Sequence, residues 1–146
     1  MSHATFYIID DADPEARLKL AGQQAAWWYQ QGQSVFLLAE TREQAEWLDE
    51  YLWQQDPDNF VPHNLIGEGP RQGSPVEIGW PGLRHSGRRA ILINLSQDAP
   101  NFAVTFAQVV DFVPCEEKLK QQARERYKAY RLAGIQLQTT PAPESP

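Results

Sequence analysis

At 146 residues, with 42% apolar side chains and five tryptophans, the chain has the length and composition of one globular domain rather than a disordered segment. A formal net charge of −6 opposes non-specific binding to nucleic-acid phosphates, and a single cysteine, Cys115, excludes an intrachain disulfide or a cysteine zinc cluster and fits a reducing compartment. The start, MSHATFYIIDD, lacks the basic and apolar regions of a signal peptide, and no apolar run approaches the about 20 residues that span a bilayer, so a soluble cytoplasmic protein is expected.

Residues 4–10, ATFYIID, are aromatic and β-branched and end in acids, which predicts a buried strand. Asp13 before Pro14 reads as a helix N-cap with proline in the first turn, and Gly32 supplies the stop. Between them Leu18, Ala21, Ala25 and Trp28 recur at helical spacing. Residues 34–40 form a second strand whose near-continuous apolar run suits a strand covered on both faces. Thr41 with Gln44 is a capping-box pattern opening a second helix to about residue 54, with Ala45, Leu48 and Leu52 inward. Strand, helix, strand, helix at this spacing predicts right-handed parallel βαβ units, hence a single α/β domain with a largely parallel sheet and helices on both faces.

Beyond Asp56 and Pro57 the pattern shortens. Residues 60–66 and 76–80 are strand candidates joined by the turn GEGPRQG, residues 84–89 read as a polar loop, and residues 90–95, AILINL, are another buried strand. A short helix is expected after Asn101, then a strand over 109–113 and a final helix within 113–134. Residues 139–146, TTPAPESP, form a proline-rich tail expected to be disordered beyond a domain spanning 1–138.

The final helix concentrates positive charge. Lys118, Lys120, Arg124, Arg126, Lys128 and Arg131 are six of the thirteen basic residues, whereas residues 1–60 carry eleven acids against three basic residues. At 100° per residue, Lys120, Arg124, Tyr127 and Arg131 share one stripe, and Leu119, Ala123, Tyr130 and Ala133, with Arg126 at the edge, form the expected core face. Two readings stay open for the basic stripe: a site for a ligand both anionic and apolar, or an ordinary solvated helix face.

A search for catalysis finds little. The glycines at 67, 69 and 73 miss the dinucleotide spacing, Pro70 removes an amide donor, Glu68 repels phosphate and a strand follows, so no nucleotide site or cofactor is expected. Asp10 and Asp11, at a strand's carboxyl end, could hold a metal for phosphoryl transfer, the alternative enzymatic reading. His3, His63 and His85 have no ligand spacing. Arg84, Arg88 and Arg89 with His85 form a second basic patch, to be weighed as a solvated loop or a direct DNA contact. Trp53 falls off the inward stripe of its helix and Phe60 follows closely, so a protein contact and an imperfectly packed helix end are both open.

Three blocks, ATFYIIDD at 4–11, FVPHNLIGEGPRQGSPVEIGWP at 60–81 and VVDFVPCEEKLKQQARERYKAYRLAG at 109–134, resemble the chi subunits of bacterial DNA polymerase III holoenzyme, clamp-loader accessory proteins. The resemblance runs over about residues 3–138. It implies a Rossmann-like fold without a nucleotide site or catalysis, a one-to-one pairing with the psi subunit, and binding of the tail of single-stranded DNA-binding protein (SSB), which ends in aspartates followed by Ile-Pro-Phe. DNA would be contacted only indirectly. By position, the resemblance assigns Lys120, Arg124, Tyr127 and Val113 to the tail, with Arg131 on the same stripe. It assigns Trp53 and Phe60 to the psi surface, which a repair helicase shares in some bacteria.

Overall fold

The computed structural model describes residues 2–55, 60–69, 73–83, 85 and 89–143. Its strands are β1 (His3–Ile8), β2 (Val35–Leu38), β3 (His63–Leu65), β4 (Val76–Gly79), β5 (Ile91–Asn94), β6 (Gln108–Val113) and β7 (Gln136–Pro141). The helices are α1 (Ala16–Gln30), α2 (Arg42–Trp53) and α3 (Glu117–Leu132), with a short 3-10 turn at Ala103–Thr105. All strand pairs are parallel, in the order β3-β4-β2-β5-β6-β1-β7. The α/β class and parallel sheet expected from the βαβ pattern are therefore what forms.

Two apolar layers flank the sheet. The α1 and α2 side collects Ala21, Ala25, Ala45, Leu48 and Leu52 against Val35, Leu37, Ile91 and Ile93. The α3 side collects Ala4, Phe6, Phe36, Leu38, Phe106, Val109 and Tyr130. Successive β2 residues point to opposite layers and all four are buried, which is why VFLL reads as an unbroken apolar run. Gly22 lets the helices close up, because a Cβ there would meet the Tyr51 ring at 2.6 Å.

Several expectations need correction. Asp13 caps a first turn of 3-10 type, its Oδ1 accepting from the Glu15 amide at 3.0 Å and its carbonyl from Ala16, so the regular α-helix begins only at Ala16. In the α2 cap the Gln44 amide does reach Thr41 Oγ1 at 3.1 Å, while the Gln44 side chain accepts from Glu40 N, one residue earlier than a standard capping box. β3 and β4 are parallel, so their glycine-containing connection carries the chain back along the sheet. Asn64 secures that return, accepting from the Ser74 amide at 2.7 Å and donating to the Leu65 and Glu68 carbonyls.

The largest difference is β7. The sequence predicts a disordered tail from residue 139, yet Thr139, Thr140 and Pro141 continue a strand in register with Phe6, Tyr7 and Ile8. A Schellman motif at the end of α3 aims it. Gly134 takes φ +85°, Ile135 N–H donates to the Tyr130 carbonyl and Gly134 N–H to that of Arg131, and Ile135 buries beside Tyr130. Residues 144–146 lie outside the described residues. Among the described residues, no helix is long and apolar enough to cross a membrane.

Candidate functional site

Helix α3 is fixed by what it buries. Asp111 of β6 receives Arg126 Nη2 at 3.0 Å, Arg126 Nε at 3.1 Å, the Tyr130 hydroxyl at 2.7 Å and Asn94 Nδ2 at 3.2 Å, all out of water. Arg126 also donates to the carbonyls of Gln97 and Phe112, so its donors are matched by acceptors rather than stranded in the interior. Burial first, and then the Asp111 carboxylate, hold the Tyr130 hydroxyl well above the usual tyrosine range. Arg126, expected at the edge of the core face, is thus the central tie between α3 and the sheet. Ala133, expected inward, is exposed. At the helix start the Glu116 carboxylate accepts from the Lys118 and Leu119 amides, both at 3.0 Å, and those bonds depress its pKa.

With Ala123, Arg126 and Tyr130 turned inward, the neighbouring stripe lies at the rim. Phe6, Val113, Lys120, Ala123, Arg124, Tyr127, Lys128, Arg131 and Thr139 line a groove of about 370 Å³ between α3, β1, β6 and β7. The four stripe residues, Lys120, Arg124, Tyr127 and Arg131, are brought together there with Val113, which the resemblance had added. Phe6 forms the floor, 5.4 Å from the Tyr127 ring and 5.7 Å from the Tyr130 ring between centroids. Among the described residues, the one carboxylate near Lys120 is that of exposed Glu117, at 3.8 Å. Among the described residues, Arg124 and Arg131 have no carboxylate partner, and Arg124 merely donates to Gln121 Oε1 at 3.2 Å. Cations whose charge is not satisfied inside the chain, set around an apolar floor, suit a carboxylate-bearing ligand with a large apolar group. Sequence reasoning missed Phe6, whose alternation in β1 marks it as buried without saying under which helix. It also missed Thr139, hidden in the expected tail.

A larger opening of about 490 Å³ lies by the carboxyl ends of β2 and β5, lined in part by Leu38, Leu83 and Phe102. Glu40 and Asp98 line it too, the wrong sign for an acidic ligand.

At the other end of the sheet, Trp53 and Phe60 are 57% and 43% exposed and their rings lie 5.4 Å apart. Buried His63 supports both, at 5.1 Å from Trp53 and 6.2 Å from Phe60. Its Nδ1 bonds the Val61 carbonyl and its Nε2 lies 3.1 Å from the Asp49 carbonyl and 3.3 Å from the Asp49 carboxylate. Burial raises the pKa of Asp49. Two large aromatic faces held in water on a buried, hydrogen-bonded histidine form a surface suited to protein contact.

Other sequence candidates fare differently. Asp10 and Asp11 are exposed, and Asp11 Oδ1 accepts from the Asp13 amide at 2.9 Å. Among the described residues, no three His, Cys, Asp or Glu side chains are grouped to hold a metal. Arg89 is not part of a basic surface, because it is buried with its Nε 2.9 Å from Glu77, and desolvation lowers its pKa. His85 sits among the rings of Phe36, Phe102 and Phe106. Arg84 and Arg88 lie outside the described residues.

The family model described as DNA polymerase III chi subunit, HolC, matches residues 1–138. The chain is 50% identical over 143 residues to DNA polymerase III subunit chi of Escherichia coli, covering 95% of this chain and 97% of the relative. It is 46% identical to the subunit chi of Haemophilus influenzae, covering 93% of this chain and 94% of the relative. Identity to the subunit chi of Pseudomonas aeruginosa is 36%, over 94% of this chain and 95% of the relative. The crystal structure of T4 UvsW superposes with a TM-score of 0.61 over 97% of this chain, at 9% identity, and this chain spans 41% of that structure. That likeness is one of fold alone.

Proposed function

The chain belongs to the DNA polymerase III chi subunit family, and from that membership we propose that it is a non-catalytic adaptor joining SSB-coated template to the clamp loader. In this reading the α3 groove binds the acidic tail of SSB, and the surface around Trp53 and Phe60 docks the psi subunit in a one-to-one pair. A repair helicase competes for that same aromatic surface where one is present. DNA itself is held at one remove, through SSB.

The observation that carries the reading is the convergence of Lys120, Arg124, Tyr127, Arg131 and Val113 on one groove floored by Phe6. The tail's aspartates and terminal carboxylate meet the cations of α3, and its terminal phenylalanine enters between Tyr127, Val113 and Phe6. Neither half suffices alone: exposed ion pairs contribute about 0–1 kcal/mol each, whereas burying a phenylalanine ring contributes roughly 1.5–3 kcal/mol.

Titration of a labelled peptide ending in Asp-Asp-Ile-Pro-Phe tests the reading. Arg124→Ala is expected to weaken binding by up to about 1 kcal/mol, the upper end for an exposed pair, and deleting the peptide's terminal phenylalanine to abolish measurable binding. Raising salt weakens the wild-type complex, because its ionic part is screened beyond about 10 Å at 0.1 M. Equal affinity for wild type and Arg124→Ala would remove α3 from the tail site.

A further inference from the structure

The groove does not end at α3, because Thr139 on its far wall belongs to β7, the last strand of the sheet. Gln136 N–H donates to the Ser2 carbonyl at 3.0 Å and Ala142 N–H to the Ile8 carbonyl at 2.9 Å. In a parallel ladder every second residue bonds the same neighbour, so Gln136, Gln138, Thr140 and Ala142 face β1. Leu137 and Thr139 therefore turn both N–H and C=O to the open side. An edge of this kind is a template for another strand unless charge, a bulge or proline blunts it. β7, QLQTTP, carries no charge, and its one proline is the final residue.

We propose that this edge is the second half of the peptide site: the extended segment immediately preceding the acidic terminus of the tail pairs with Leu137 and Thr139 as an eighth strand. The inference rests on the clamp reading of the α3 groove. Two features select that occupant. The open edge is continuous with the groove through Thr139, so a chain leaving the groove is already beside it. Leu137 and Thr139 are in register with Ala4 and Phe6, on the α3 side of the sheet. An eighth strand would thus direct every second side chain toward Lys128 and Arg131, both exposed on the groove wall. Acidic residues at alternate positions fit that spacing.

Thr139→Pro is the direct test, since it removes an outward amide without removing a bond to β1, a placement edge strands tolerate. Thr139→Val keeps the amide and nearly the shape. The readout is the advantage of a peptide of about ten residues, long enough at roughly 3.3 Å per residue to reach from the groove along the edge, over the Asp-Asp-Ile-Pro-Phe end alone. We expect a wild-type advantage of roughly tenfold, kept in Thr139→Val and lost in Thr139→Pro. On the wild-type protein, amide exchange read by NMR is expected to slow at Leu137 and Thr139 when the longer peptide is saturating, whatever the fate of the proline variant. Unchanged exchange at both amides overturns the edge inference while leaving the clamp intact if the short peptide binds. Binding of neither peptide by wild type overturns both. A wild-type dimer that Thr139→Pro converts to monomer would give the edge to a second copy of the chain and overturn the inference.

Discussion

Asp111 shows how the candidate site depends on a residue outside the groove. Its carboxylate holds Arg126 and Tyr130 on one side of α3, and that rotation puts Lys120, Arg124 and Tyr127 over Phe6 on the next stripe. The helical period made the basic stripe legible in the sequence, since it needs only local spacing. The Arg126 pairing was not legible, because its partner sits on a strand whose position under α3 is set by the sheet order. Tyr130→Phe isolates one member of the network. It leaves the ring in the core and removes the short bond to Asp111, at an expected cost of about 1–3 kcal/mol in urea denaturation at neutral pH. The same variant carries a pH signature. The Tyr130 pKa is raised in the folded state, so its contribution is complete below the ordinary tyrosine pKa and is lost as pH rises, when the unfolded chain ionises first. Wild-type stability should therefore fall above about pH 10 more steeply than that of Tyr130→Phe.

At the scale of elements, both ends of α3 are built to stop where they do, and the C-terminal stop decides where β7 goes. Gly134→Ala puts a Cβ at φ +85°, which is expected to cost about 1 kcal/mol. Because Gly134 aims the chain into the strand that carries Thr139, the variant should also weaken tail-peptide binding, although no ligand contact is removed. Unchanged peptide affinity alongside a lowered melting temperature would show that β7 finds its place without the motif. Elements whose burial imposes a period were legible beforehand: α2 and its inward Ala45, Leu48 and Leu52, the wholly buried β2, and β5. β7 was missed for the converse reason. Only one side of it is paired and most of its side chains meet water, so no apolar alternation distinguishes it from a loop. The Asp13-Pro14 start of α1 was legible because capping is local, whereas the 3-10 form of its first turn was not.

Across the whole molecule, the two candidate surfaces stand at opposite ends of one parallel sheet. Trp53 and Phe60 rest on His63 of β3, and the groove reaches β7, the first and last strands of the order. Six steps between strands separate them, roughly 30 Å at ~4.8 Å per step, a span set by strand count and filled with close-packed core. That arrangement suits an adaptor, since a short peptide and a protein subunit can be held at once without meeting. The uneven charge acts in the same direction, the eleven acids of residues 1–60 repelling nucleic acid while the basic face of α3 complements the acidic peptide proposed for it. Coupling between sites requires an element with two arrangements that both ligands bias, and a continuous seven-strand sheet offers none along this line. Tail-peptide affinity measured with saturating psi is therefore expected to stay within about twofold of its value alone, since allosteric coupling is ordinarily ~1–3 kcal/mol. Trp53→Ala should weaken psi binding in the same assay. If psi instead displaces the peptide, the two partners share a surface, and an adaptor with sites at either end of the sheet is the wrong description.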